Sequence, residues 1–595
     1  MAFRSRFLAL ACATILAFAP ATVSAQQAAD AVAPEVATAL TAKRDGKPAE
    51  ARNWMIAAAN PLAVKAGADV LRRGGSAADA AIAAQLVLGL VEPQSSGLGG
   101  GAFVVWYDAT TGKVTTLDGR ETAPVGARPT RFLNEAGEPL KFFDAVVGPL
   151  SVGVPGTPRL LMELHQRYGK VDLDGLFDPA IELAENGFTV SPRLASLVES
   201  GAERLSRFPA TKAYFLPGGQ PIRQGDTLRN PAYAKTLRTL AAEWGESFYG
   251  GEIGASILAA LKEAADIAGT GPATMTKADL ANYRVIERDA VCAPYRGHDV
   301  CGMGPPSSGA LTVGQILGIA AETDLAALGA NSPEAWRVIG DASRLAFADR
   351  SLYMADSDYV PMPTKGLLAP DYLKSRAQIL QQGKALPKED VEAGDPAWDH
   401  ASLKLAPDES LELPSTSHIS IVDAAGNALS MTTTIENGFG SRIMAAGFLL
   451  NNELTDFSFR THSEGRPIAN RVEPGKRPRS SMSPTIVLRD GKPVLVVGSP
   501  GGSRIIGYVA QALVNVIDWN MDVQAAVSAG HLVNRFGTYD VEEGTEAESL
   551  AEPLRAMGYE VKVRELNSGL HAIAITPDGL RGGADPRREG IALGE

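Results

Sequence analysis

Hydrophobic and polar positions alternate in different ways along the chain, and the changes mark its elements. From Ala57 to Leu90 apolar residues recur at helical spacing in two blocks. The second, Ser76-Ala-Ala-Asp-Ala-Ala-Ile-Ala-Ala-Gln-Leu-Val-Leu, starts on a plausible N-cap serine and is rich in small residues that allow close packing. A glycine run, Gln94 to Gly101, separates it from the strand-like Phe103-Val-Val-Trp-Tyr107. Residues 155–350 are mostly helical, with amphipathic stretches at Pro158–Tyr168 and Tyr233–Trp244. Residues 26–50 show little periodicity and read as a loose leader, and 380–415, rich in Pro, Asp and Lys, as a linker. Beyond it, 417–435 and 484–498 read as strands. No internal repeat of fixed period occurs.

Composition narrows the class. The chain has 595 residues, 45% apolar and 21% charged, an ordinary globular balance. Its net charge of -12, with no dense basic run, argues against nucleic acid as a partner. Arg4 and Arg6 precede a short apolar run, Phe7 to Phe18, and small residues at Val23-Ser-Ala25. This is the layout of a signal peptide, residues 1–25, too short for a transmembrane helix. Export to the periplasm or medium is expected, with no membrane contact once the signal is removed. Cys12 leaves with that segment. Cys292 and Cys301 flank an Arg296-Gly297 turn in a register that sets them opposite one another. They form either a disulfide, permissible in an oxidising compartment, or two small buried apolar residues.

Several chemistries are disfavoured. Gly97-x-Gly99-x-x-Ala102 fits a dinucleotide pattern only formally, because its order is helix, glycines, strand. The glycines read instead as a tight backbone path near a site. The seven histidines are scattered, with no metal-binding spacing, so neither a metal nor another cofactor is expected. No Gly-x-Ser-x-Gly elbow supports a serine hydrolase built on Ser480 or Ser481.

The segment Thr416-Ser-His-Ile-Ser-Ile-Val-Asp423-Ala-Ala-Gly-Asn-Ala-Leu-Ser-Met-Thr-Thr-Thr434 reads as a hairpin. Centred on Ala425, it sets Thr416 opposite Thr434, within one residue if a glycine bulge intervenes. A threonine hydroxyl needs an adjacent base. Were the chain cut before Thr416, the new α-amine, titrating near ~7.7–8.0, would be that base. Taken alone, the segment also reads as an ordinary threonine-containing hairpin.

Thr416-Ser-His418-Ile-Ser420 resembles the start of the small subunit of gamma-glutamyltransferases. The resemblance continues through Gly74-Gly-Ser-Ala-Ala-Asp-Ala-Ala81, Gly97-Leu-Gly-Gly-Gly101, Gly119-Arg-Glu-Thr-Ala-Pro124 and Pro305-Pro-Ser-Ser-Gly309. It extends to Asn451-Asn-Glu-Leu-Thr-Asp-Phe457, Lys476-Arg-Pro-Arg-Ser-Ser-Met-Ser-Pro484 and Gly498-Ser-Pro-Gly-Gly-Ser503. The family implies an α+β fold of the N-terminal nucleophile hydrolase type, a four-layer αββα sandwich. It implies a precursor that cuts itself between Ser415 and Thr416. The products would be a large subunit, 26–415, and a small catalytic subunit, 416–595, interwoven as a heterodimer.

The resemblance also implies roles. Thr416 is similar to the nucleophile and Thr434 to its supporting threonine. Gly501 and Gly502 match an oxyanion-hole pair, whose donors contribute about 2.7–4 kcal/mol each. Arg120 looks like the residue that binds the donor's α-carboxylate, beside Ser480 and Ser481. Asp456, Glu453 and Glu436 look like the acids around the donor's α-ammonium. The implied donors are glutathione and other gamma-glutamyl compounds, with water, amino acids or peptides as acceptors. Two departures stand out. Arg479 replaces a usual leucine and adds positive charge near the carboxylate site. The segment Phe457–Gly475, which corresponds to a lid, is short and has no Tyr or Trp. His418 matches a position with a structural role rather than that of a base. The alternatives are a cephalosporin or glutaryl acylase of the same superfamily, or an exported binding protein that remains uncut.

Overall fold

The structure, a computed structural model, describes residues 33–595 except 244, 271–272, 409 and 411–414. The expected signal peptide lies outside the described residues. Two seven-stranded antiparallel sheets form the centre. In one, Ser417–Val422 and Ala428–Thr434 lie in the middle, flanked by Met55–Ala58 and Ile591–Gly594 on one side and by Gly101–Asp108, Lys113–Gly119 and Ile286–Asp289 on the other. The second runs through Ala49–Ala51, Gly579–Ala584, His571–Thr576, Lys492–Gly498, Thr485–Arg489, His298–Gly302 and Val291–Tyr295.

Strand alternation explains the layering, since successive side chains point to opposite faces. Ile419 and Ile421 join a core with the helices Pro61–Arg72 and Ala77–Val91. From the opposite face Val422 meets Ile486, Val496 and Ile573 of the second sheet. The outer face of that sheet packs on the helices Gly309–Ala320, Pro333–Tyr353 and Ile505–Ile517. The result is the expected sequence of helix, sheet, sheet, helix. The N-cap read at Ser76 holds: its hydroxyl accepts from Asp79 N–H, and Asp79 accepts from Ser76 N–H, a reciprocal cap.

Residues 33–50 depart from the loose leader expected there. Pro34–Arg44 is a helix with Val36 and Ala39 buried, and Ala49–Ala51 pairs with Gly579–Ala584. The helical periodicity is weak because only one narrow stripe is covered. Docking on the sheet, rather than propensity, holds it. The hairpin Val291–Tyr295/His298–Gly302 has the expected register, Cys292 opposite Cys301, and their sulfurs are bonded.

Candidate active site

The Ser417–Val422/Ala428–Thr434 hairpin pairs without a bulge, Ser417 opposite Thr433. One step further out, Thr416 and Thr434 have hydroxyl oxygens 3.0 Å apart. Glu436 N–H donates to Thr434 Oγ1 at 2.8 Å, which leaves the Thr434 proton available to Thr416. The φ of Thr416 is +94°, a conformation that β-branched residues almost never adopt. Such strain is held by surroundings that over-determine it. Ser415 Oγ donates to Gln94 C=O at 2.9 Å, Arg588 Nη1 donates to Thr416 C=O at 2.9 Å, and Gly501 N–H donates to Ser415 C=O at 3.2 Å.

Gly501 and Gly502 follow the strand Lys492–Gly498 and begin a short turn into Ile505–Ile517. Both have positive φ, +143° and +58°. That backbone, favoured by glycine, turns the Gly501 amide toward the Ser415 carbonyl. The earlier glycine run fills the complementary role. A Cβ on Gly100 would strike Thr434 C=O, and one on Gly101 would strike Glu121. The run therefore lets two strands and a carboxylate come together behind Thr434.

Beside the two threonines a narrow cleft is lined by Arg120, Glu436, Glu453, Asp456, Ser480 and Ser481, with Gly502, Met482 and Ile505. Every residue expected at the site is thus brought together, Gly501 through its bond to Ser415. Arg120 is buried, donates to Glu453 and Asp456 (the latter at 2.6 Å), and also donates to Arg479 C=O at 2.8 Å. Burial opposes its charge, but Glu453, Asp456 and Glu121 together outweigh that and hold the guanidinium protonated. The acids respond to the same setting. Burial, then Asp456 and Glu453, pushes Glu436 well above the usual carboxylate range. Burial also raises Glu453 well above it, against the pull of Arg120. Asn452 donates its amide to Glu436 and fixes that carboxylate. Ser480 and Ser481 are set by the Pro305–Gly309 loop, where Ser308 Oγ donates to Ser480 C=O at 2.7 Å.

Sequence reasoning missed three groups here. Arg350 donates to Ser481 Oγ at 2.6 Å and to Ser308 Oγ at 2.8 Å. It stands in the last turn of the helix Pro333–Tyr353, where no local signal separates it from a surface arginine. Glu121 follows Arg120 directly and is pushed up to about 7 by burial, against the pull of Arg120. Its burial comes from the Gly101 approach, which no single segment reveals. Arg588 lies 172 residues from Thr416 in sequence.

Two expectations change. Arg479 does not extend its charge into the cleft. Its side chain is buried against Asp408 at 3.0 Å, and only its backbone carbonyl reaches Arg120. A buried guanidinium needs a counter-ion, and Asp408 supplies it. The segment Phe457–Gly475 does not line the cleft: Phe459 stacks on Phe132, at 4.7 Å between ring centres. His418 has a packing role. Its ring lies between the sheets against Gly498, bonded to Thr432 and Ser420 at 2.9 and 3.0 Å. Burial, with His571 nearby, holds it neutral.

The glutathione hydrolase proenzyme of Bacillus subtilis (strain 168) is 38% identical over 557 residues, 91% of this chain and 92% of the relative. That of Escherichia coli (strain K12) is 37% identical over 554 residues, 91% of each chain. Among solved structures, the cephalosporin acylase from Bacillus halodurans superposes with a TM-score of 0.79 at 27% identity, over 92% of this chain and 97% of its own. A family model described as Gamma-glutamyltranspeptidase matches residues 63–595. This chain belongs to the gamma-glutamyltranspeptidase family.

Proposed function

We propose that the chain is a self-cleaving gamma-glutamyl amidase and transferase whose nucleophile is Thr416. The observation that carries the reading is the Ser415–Thr416 junction. The Ser415 carbonyl accepts from Gly501 N–H, while the next residue is strained and its hydroxyl is bonded to Thr434. In this reading Thr416 Oγ attacks the Ser415 carbonyl carbon, and Gly501 N–H stabilises the oxyanion. The C–N bond breaks as the hydroxyl proton passes to the amide nitrogen. Water then hydrolyses the ester, giving a large subunit ending at Ser415 and a small one starting at Thr416. The freed α-amine becomes the base for a second use of the same hydroxyl and oxyanion donor.

The cleft suits a donor with an ammonium and a carboxylate at one end. Arg120 is paired internally with Asp456 and Glu453. A zwitterionic end inserts into such a pair without changing its net charge: the donor's carboxylate takes Arg120 and its ammonium takes the acids released. The side-chain amide then extends toward Thr416. Glutathione and related gamma-glutamyl compounds meet this description, with water, amino acids or peptides as acceptors. An acylase acting on glutaryl groups would share the threonines and glycines but has no ammonium to place among Glu436, Glu453 and Asp456. The acids therefore favour the glutamyl reading.

The test uses release of p-nitroaniline from its γ-glutamyl and glutaryl anilides. Asp456→Asn is expected to raise KM for the γ-glutamyl donor by about 10–100-fold, the loss of one charge-assisted hydrogen bond, while chain cleavage is retained. Equal turnover of the glutaryl donor, unaffected by Asp456→Asn, would move the substrate to the acylase class.

A further inference from the structure

The closing loop of the chain reaches the back of Thr416. Arg588 is fully buried and donates Nη1 to Thr416 C=O at 2.9 Å and Nε to Ser568 C=O at 2.9 Å. Its stem passes Gly569 and Pro500, the residue before Gly501. A Cβ on Gly569 would strike both, so that position is kept clear for the guanidinium. Glu92 stands 3.9 Å from Arg588 and 3.9 Å from Arg193. From the other side the N-terminal helix holds the loop: Lys43 Nζ donates to Arg588 C=O at 2.5 Å and to Gly590 C=O at 2.7 Å. Helix, closing loop and Thr416 thus form one connected path.

We infer that Arg588 is a positioning residue for Thr416, fixing its carbonyl and placing a positive charge beside the α-amine that cleavage would free. This rests on Thr416 being the nucleophile. A hydrogen bond to the carbonyl fixes the Thr416 backbone, and so the direction in which its hydroxyl and amine point. The charge disfavours a proton on the amine, which must be neutral to act as base. The groups facing Arg588 are Glu92, Arg193, Asp585, Tyr508, His571 and Lys43. Those across the cleft from Thr416 are Arg120, Glu436, Glu453 and Asp456. In the cleft the acids lie beside the cationic Arg120, and Arg588 adds a second positive charge from behind Thr416. Burial, then Arg193, lowers Arg588 to about 9, partly offset by Glu92, so it remains charged at neutral pH.

The experiment compares Arg588→Met, which loses the charge, and Arg588→Lys, which keeps it, with the wild type and Thr416→Ala. Chain cleavage is followed on denaturing gels, and kcat, KM and the pH profile on the γ-glutamyl anilide. Both variants should cleave slowly and lose about 10–100-fold in kcat, with KM nearly unchanged. In Arg588→Met the acid limb of kcat/KM should move up by about one pH unit, and in Arg588→Lys it should stay. Wild-type kcat and an unmoved limb in Arg588→Met would overturn the proposal, even if the variant melts earlier. Should Arg588→Met fail to mature, Arg588→Lys decides: wild-type cleavage and kcat would overturn it. Anilide release by Thr416→Ala would instead overturn the nucleophile reading, which separates the two failures.

Discussion

Glu121 sits where a carboxylate is costly, sealed behind Arg120 and under Gly101, and is pushed up to about 7 by burial. An acid whose folded-state pKa is raised destabilises the fold only once the unfolded chain ionises. The penalty is absent below about pH 4, grows as pH rises, and is complete above about 7. Its upper bound is ~3.5 kcal/mol at that shift. Glu121→Gln is therefore expected to stabilise the protein more at pH 8 than at pH 5, read as the difference in urea midpoints. A difference that is flat with pH would show that Glu121 ionises normally. At this scale His418 and Arg479 carry a common lesson. A titratable residue beside a reactive one in sequence need not share its site, because strand alternation sends His418 between the sheets and Arg479 finds its counter-ion in Asp408.

At the scale of elements, the hairpin and the glycine run place the two threonines. Gly100 lets its strand lie against Thr434 C=O, with Ile435 beside it. Gly100→Ala is expected to cost about 1–3 kcal/mol through overpacking and to slow cleavage before Thr416, measured as the half-time of the uncut chain on gels. Normal cleavage would mean that the strand moves aside at no cost to the site. The hairpin itself was legible in the sequence because turn and register are local: Asp423 to Asn427 close it, and Thr416 faces Thr434 by counting outward. The resemblance supplied Arg120, the acids and the glycine pair, which come from distant segments. Arg350, Glu121 and Arg588 were not legible. Each becomes a site residue only through long-range packing, of Pro333–Tyr353 on the Ser480–Ser481 turn, of Gly101 on Glu121, and of the closing loop on Thr416. The helix Pro34–Arg44 was missed for the same reason, since its stripe is defined by the sheet it meets.

At the scale of the molecule, a cut before Thr416 would leave two pieces that share both sheets. Ser417–Val422 lies between Met55–Ala58 of the large piece and Ala428–Thr434 of the small one. Ala428–Thr434 in turn pairs with Gly101–Asp108, and Thr485–Arg489 with His298–Gly302. The cores on either side of the sheets also mix residues from both pieces. Cleaved fragments should therefore co-elute in size exclusion and separate only in denaturant. Spontaneous separation in native buffer would contradict the shared-sheet account. The Cys292–Cys301 bond closes a short hairpin within the large piece, so reduction should not release either fragment.

The most direct measurement is the intact mass and N-terminal sequence of the purified protein beside a Thr416→Ala control. Two fragments are expected in the wild type, the smaller beginning Thr-Ser-His, and one uncut chain in the control. A folded wild-type protein that stays whole, or a control cut at the same bond, would contradict self-cleavage by Thr416.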